Sequence, residues 1–560
     1  MSKVRLFLVF LLVPMACGNN DVTRFVDPNI GGVAPLLTTK CPTVHRPHSM
    51  VRVFPVTKPG LSDRYLSDRI YGFGLNMPAY RMGHVTSIMP VPGELSFDPD
   101  ATASSYDHDL EDVHPWKHTV FLEDHDIVAE WTTSERAVVY RFVFRKDVPA
   151  NVIFRSAGQA SFRIRGNNTI RGWEEFRNTK QYFHAEFSLP FDSRGTFNGS
   201  EIIPGSDEAD GRGTGACISF FAPGQPLEVR IGISYIDEDQ ARENLEREMK
   251  GKTFEKICDE SYRIWKDALG KIYAEGGTER QMRIFYTSLY RCFERMVNIS
   301  EYGRYYSGYD RKVHNDEGKP FYVDDWLWDT FRSQHPLLYI IEPDKQLDMA
   351  QSYVRMYEQS GWMPTFPQFY GDFSAMIGFH STALVWDIYQ KGGRDFDVEK
   401  AYEGFIKNAM KGTLVPWRSG PMCGLDSFYI QNGWFPALPE GAEETEPLVD
   451  GFEKRQAVAV TLEHSYDDWC LAQLAKALGK NEDYEYFSRR AQNYRNVYNP
   501  ETGFMAPKMA DGNWVEPFDP TLSGGIGSRM YFAENNAWIW NFSVMHDIPS
   551  LIELIGGAET

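Results

Sequence analysis

Between Asp21 and Asp237 apolar and polar residues alternate in short runs. Val138 to Arg145 alternates around Tyr140, Phe142 and Phe144, and Ser161 to Arg165, Tyr182 to Leu189 and Leu227 to Tyr235 repeat the pattern between Gly and Pro turns. Such density of strands without intervening helices predicts an antiparallel β-sandwich over residues 21–237. The period then changes. Glu238 to Ala274 reads as charged amphipathic helix, and Glu279 to Val297 places Met282, Phe285, Leu289, Cys292 and Met296 at helical spacing, a connector over 238–298. From residue 299 onward helical segments are broken by Gly/Pro-rich loops. Ala375 to Lys391 is apolar nearly all round and stops at Gly392-Gly393, the pattern of a buried helix with a glycine cap. Leu462, Tyr466, Trp469, Leu474 and Leu478 trace a second stripe, and Tyr484 to Tyr498 a third. Helices joined by long loops predict an (α/α) toroid over 299–560, whose loops gather at one end and form a pocket.

With 560 residues the chain exceeds what one core serves, in keeping with two domains. The formal net charge of −19 argues against a nucleic-acid partner, and a neutral ligand fits better. Lys3 and Arg5 precede the apolar run Leu6 to Val13, so residues 1–17 read as an export signal too short to span a bilayer. Cys17 resembles the acylated cysteine of bacterial lipoproteins, which predicts a Gram-negative periplasmic protein or a cell-surface lipoprotein tethered through Cys17. The other six cysteines form no CxxC, which argues against a zinc site.

Glycosidic bonds are hydrolysed between two carboxyl groups, one protonated to assist the leaving group and one ionised. Glu534 lies among Tyr531, Phe532, Trp538 and Trp540, whose rings could desolvate it and raise its pKa; alternatively it is a helix-start carboxylate ahead of the capping pair Asn535-Asn536. Asp329 sits beside Trp326 and Trp328, where a carboxylate could hold sugar hydroxyls while indole packs on the ring; alternatively it pairs with Arg332 at i+3. Of the adjacent Asp467 and Asp468, one is expected to bond another helix and the other to be solvated. His380 is expected to be a satisfied core histidine. Gly524-Gly525-Ile526-Gly527 lacks the ending of a phosphate loop, and no GxSxG elbow is present.

Several blocks together resemble glycoside hydrolase family 92, the calcium-dependent exo-α-mannosidases of bacteria. They are Trp328-Asp329-Thr330-Phe331-Arg332, Met376-Ile377-Gly378-Phe379-His380-Ser381, Thr461 to Trp469, Pro500 to Met505, Asp511 to Trp514 with Pro517 to Pro520, and Glu534-Asn535-Asn536-Ala537-Trp538. The resemblance implies a β-sandwich packed on an (α/α)6 barrel and an inverting mechanism. It implies Glu534 as the catalytic acid and Asp329 as a residue holding the terminal mannose, with Trp328, Arg332 and Trp538 binding substrate. The implied substrates are mannan or N-glycan-derived oligosaccharides, cleaved in the α-1,2 manner, and the implied cofactor is calcium. The family's general base lies C-terminal to the acid, in a motif that nothing in Asn541 to Thr560 matches, and the resemblance implies calcium ligands beyond Thr560, in the part that would carry that motif. An incomplete barrel is therefore expected, and a catalytically silent mannose-binding remnant or another (α/α)6 glycosidase or phosphorylase stand as alternatives. Val26 to Gly32 resembles the family's opening, whereas Tyr80-Arg81-Met82-Gly83-His84 stands where a His-rich substrate loop is usual.

Overall fold

The computed structural model describes residues 21–34, 39–96, 98–145, 148–199, 201–221, 223–523 and 529–557. The export signal with Cys17, the Gly524 to Gly527 run and the last three residues lie outside them.

The N-terminal half is a sandwich of two antiparallel sheets. One has nine strands, in the order Glu208–Arg212, Gln159–Arg165, Thr169–Phe176, Thr179–Phe187, Leu227–Ser234, Ala137–Phe144, Ile127–Thr133, Lys117–Leu122 and Asp112–His114. The facing sheet has seven, with Val85–Pro92 and Ala150–Arg155 near its centre. The alternation is what puts the core between them. Trp131 pairs with Tyr140 across adjacent strands, and Phe73 of the facing sheet meets Trp131, Tyr140 and Phe142 at ring distances of 5.0, 6.1 and 6.2 Å. Ala137–Phe144 is buried on both faces over its first half, because Ala137 and Val139 are covered by Leu245, Met249, Phe254 and Ile257. Gly232 permits that helix to lie so close: a Cβ there would stand 2.0 Å from the carbonyl oxygen of Ala241.

Several helix boundaries differ from the periodicity. The stretch Glu238 to Ala274 is two helices, Glu238–Met249 and Phe254–Leu269, separated where Gly251 turns at φ +75°. Thr253 caps the second by accepting the Lys256 N–H, and Thr278 and Gln281 form a capping box on Glu279–Cys292. Ala375 to His380 is a loop, and the helix begins only at Ser381 and ends at Gln390. Asn481–Arg490 is helical, with Asn493–Val497 a separate 3-10 turn. Among the described residues the C-terminal helices pack by pairs. Pro343–Ser360 lies against Gln334–Ile341, Ser381–Gln390 and Val398–Lys411, and Ala457–Ala477 against the last two and Asn481–Arg490. They do not close a ring, in line with the incomplete barrel expected. Trp538, Ile539, Phe542, Met545, Ile548 and Ile552 form an apolar stripe 41–64 % exposed.

The two halves meet through charge as well as apolar surface. Arg52 of the sandwich is fully buried, donates to the carbonyls of Met77 and Glu294, and pairs with the equally buried Asp324 at 2.5 Å.

Candidate active site

The segment Asp324 to Arg332 is fixed by two neighbouring carboxylates that face opposite ways. Asp324, at φ +63°, turns to the sandwich, where it meets Arg52 and accepts the backbone N–H of Tyr80 at 3.0 Å. Asp325 turns to the helices and accepts from His335 Nε2 at 2.7 Å, Tyr353 OH at 2.8 Å and Thr330 Oγ1 at 2.7 Å. Burial raises the Asp325 pKa, but the charge and hydrogen bond of His335 outweigh it and hold the carboxyl ionised. Between the two halves the chain makes one helical turn, Leu327–Thr330, which carries Trp328 and Asp329 into the cleft.

Arg332 does not take Asp329 as its salt-bridge partner. Its Nη2 pairs with Glu463 Oε1 at 3.1 Å, its Nη1 donates to the Trp328 carbonyl, and its guanidinium lies over the Trp328 and Phe331 rings at 4.8 and 4.5 Å. Glu463 belongs to the central helix Ala457–Ala477, and its other oxygen meets His380 Nε2 at 3.0 Å. His380 Nδ1 in turn meets Asp467 Oδ1 at 2.9 Å, and Phe331 stacks on the imidazole at 4.1 Å. The histidine is buried, as the sequence suggested, but it is a cation between two carboxylates, hydrogen-bonded to Asp467 through Nδ1 and only ion-paired to Glu463 through Nε2. Burial alone would lower its pKa, yet Asp467 and Glu463 push it up to about 9. Asp467 and Asp468 also differ from expectation, since neither is solvated: Asp468 pairs with Arg490 at 2.9 Å on the next helix.

A test follows from the sign of this shift. A folded-state pKa raised from 6.5 to about 9 gives stability that is complete below pH 6.5 and lost as pH rises through about 9. The midpoint of thermal unfolding of His380→Gln, followed by circular dichroism, is expected to fall below the parent's at pH 6.5. The gap should narrow by pH 9.5, and a constant gap would contradict the charged histidine.

Glu534 arrives from a loop hung on the same central helix. The first N–H groups of a helix have no internal partner, and here those of Gln456, Ala457 and Val458 donate to the carbonyls of Arg529, Met530 and Tyr531. On the far side Trp540 Nε1 donates to the Ala533 carbonyl at 2.9 Å. Held at both ends, Glu534 adopts φ +51°, a region costly for a residue with a Cβ. Asn536 precedes the one-turn helix Ala537–Trp540 without a side-chain capping bond, so the capping alternative finds no support. Desolvation and then the charge of Asp329 raise the Glu534 pKa, against a smaller opposing effect of Arg529. Asp329 is also shifted upward by desolvation, opposed by Arg295, Arg332 and Arg81. Two carboxyl groups distant in sequence thus lie within electrostatic reach, and the charge of Asp329 bears on the protonation of Glu534.

Around Asp329 three buried donors, Arg295 Nη1, Trp326 Nε1 and Trp328 Nε1, have no acceptor among the described residues. Buried donors in native proteins find partners, and a hydroxyl-rich ligand would supply these. Arg295 and Arg81, which the sequence did not single out, stand over the Trp326 ring at 5.5 and 5.8 Å. Trp538 is 55 % exposed and turns its ring edge-on to Phe504 at 4.8 Å. Calcium takes about six to eight oxygen ligands. No group of three or more His, Cys, Asp or Glu suited to a metal ion occurs among the described residues. The nearest acids are already committed, Glu463 to Arg332 and His380, Asp324 to Arg52, and Asp325 to His335. These residues do not make a calcium site.

Residues 25–234 match the N-terminal domain of glycosyl hydrolase family 92 and residues 240–560 its catalytic domain. A family GH92 inverting mannosidase of Bacteroides thetaiotaomicron superposes with a TM-score of 0.88 at 30 % identity, over 97 % of this chain and 73 % of that one. A family GH92 α-mannosidase of the same organism, in complex with mannoimidazole, superposes with a TM-score of 0.85 at 26 % identity, over 96 % of this chain and 72 % of that one. A secreted glycosidase of Arthroderma benhamiae is 26 % identical over 365 residues, 59 % of this chain and 40 % of the relative, so the chain spans well under half of that relative's length. With both family domains matched along the chain, this protein belongs to glycosyl hydrolase family 92.

Proposed function

We propose that the protein takes part in the exo-hydrolysis of terminal α-mannosides with inversion, of the α-1,2 type, with Glu534 as general acid. The observation that carries this reading is the pairing of a desolvated Glu534, its pKa raised, with the charge of Asp329. An upward shift favours the protonated carboxyl, the form that can hand its proton to the departing glycosidic oxygen. Asp329 accepts hydroxyls of the terminal sugar, Trp328 packs on its face, and Arg332, locked by Glu463, sets the angle of that indole. Trp538 serves a more peripheral part of the substrate. Inversion needs a second carboxylate about 6.5–9.5 Å from the acid to activate water. Asp329 is not that base in this reading, because the arginines around it suit a holding role. In keeping with the export signal, the site of action is the periplasm or cell surface.

The test is hydrolysis of α-1,2-mannobiose and an aryl α-mannoside, with the anomer of released mannose read by proton NMR and calcium added or chelated. Release of β-mannose supports the reading, and α-mannose overturns inversion. Binding of mannobiose by calorimetry without any turnover favours the silent-remnant reading. Asp329→Asn adds a sharper sign. Since the Asp329 charge raises the Glu534 pKa, its removal should move the basic limb of the kcat/KM profile to lower pH, besides weakening substrate binding.

A further inference from the structure

On the sandwich side lies an open depression of about 640 Å³ whose lining includes Arg81, Arg177, Arg212, Glu175, Gln159 and Asn178, with Arg177 and Arg212 exposed to solvent. Three guanidinium groups face one carboxylate there, in a protein whose overall charge is −19. The neighbouring strand pair neutralises its other charges: Arg165 pairs with Glu208 at 2.6 Å, and Arg163 lies 3.9 Å from Asp210. Arg177 and Arg212 have no carboxylate within ion-pair distance among the described residues. The recorded neighbours of the Arg177 guanidinium are the rings of Tyr370 and Phe373, at 5.5 and 5.3 Å.

The backbone adds an independent sign. Arg177 and Asn178 are the two residues of the tight turn joining Thr169–Phe176 to Thr179–Phe187, at φ +48° and +62°. Such a turn favours Asn-Gly or Gly-Gly, and an arginine in its first place accepts local strain. Arg81, at φ +62°, does likewise. Arg81 is the link between the two spaces, since it lines the cavity and its charge acts on Asp329. A sugar chain whose terminal residue lies between Glu534 and Asp329 would run past Arg81 into this cavity.

We propose that the cavity binds an oxyanion, a phosphate, sulfate or carboxylate, carried by the part of the glycan beyond the residue that is cleaved. Arginine suits this role because its planar fork makes paired, charge-assisted hydrogen bonds to such groups. The inference rests on the mannosidase reading for the direction of the chain, but not for the anion site itself. The protein as a whole repels anions, so the preference is local and set by geometry.

The experiment compares mannobiose with the same disaccharide bearing a 6-phosphate or a 6-sulfate on its reducing sugar, and with a mannosyl-glucuronate. Binding is measured by calorimetry at low salt and turnover by mannose release. One anionic compound is expected to bind about 10-fold or more tightly than the neutral one, the gain of a charged hydrogen bond. Added salt should erode that gain. The rank among the three identifies the anion. In the variant carrying Arg177→Gln and Arg212→Gln the preference should fall to within about 2-fold, while hydrolysis or binding of the neutral compound stays unchanged. Equal affinity for neutral and anionic sugars, or a preference that survives both substitutions, overturns the proposal. If no disaccharide is hydrolysed, the mannosidase reading fails, and the calorimetric comparison still decides the cavity.

Discussion

Glu534→Gln is expected to lower kcat on mannobiose by about 10²- to 10⁴-fold, the usual contribution of a positioned general acid. The fold should be unaffected. Glu534 is only partly desolvated, its carboxyl has no hydrogen-bond partner among the described residues, and glutamine meets the same backbone demand at φ +51°. The loss should depend on the leaving group. A 2,4-dinitrophenyl mannoside departs without protonation, so its hydrolysis should fall far less than that of the disaccharide. The parent's rate should decline at high pH as Glu534 ionises, and the variant's should not follow that limb. Equal losses on both substrates would show that Glu534 acts in binding rather than in proton transfer.

The largest stability effect is expected at Asp324→Asn. The exchange leaves the Arg52 guanidinium charged and without its counter-ion, in a place from which water is excluded. Breaking a buried pair from one side costs about 3–5 kcal/mol, readable as a shift of the urea midpoint at unchanged slope. Adding Arg52→Met removes the stranded charge and should recover much of the loss. A double variant no better than the single one would mean that the Tyr80 N–H bond, not the ion pair, carries the junction. Because Asp324 also sets the position of the segment bearing Asp329, activity should fall together with stability.

Local patterning made the strands legible. Ser161 to Arg165, Tyr182 to Leu189 and Leu227 to Tyr235 alternate, and the alternation predicted the strands Gln159–Arg165, Thr179–Phe187 and Leu227–Ser234. Ala137–Phe144 was found through its aromatic positions, although a helix covers its second face. The helix predicted from Ala375 started too early for a physical reason. Apolar Met376, Ile377 and Phe379 suit a buried loop as well as a helix, and periodicity cannot see that Gly378 turns at φ +84°. The candidate site was legible where it is local. Trp328, Asp329 and Arg332 adjoin in sequence and in space, whereas their controls are long-range: Glu463 lies 131 residues beyond Arg332, and Asp467 lies 87 residues beyond His380. No single-sequence signal tells a histidine that packs from one that is held charged by a distant helix. Arg81 and Arg295 escaped notice for the same reason, since only the approach of sandwich and helices brings them to Asp329.

The helix Ala457–Ala477 holds the Glu534 loop by its first N–H groups and the Asp329 turn by Glu463. Glu534 and Asp329 are therefore not independent parts on separate mounts. A substitution that frays or rotates this one rod would displace both together, with no change in any residue that touches the sugar. A screen for inactive variants should accordingly recover positions along its buried length that no map of ligand contacts would nominate.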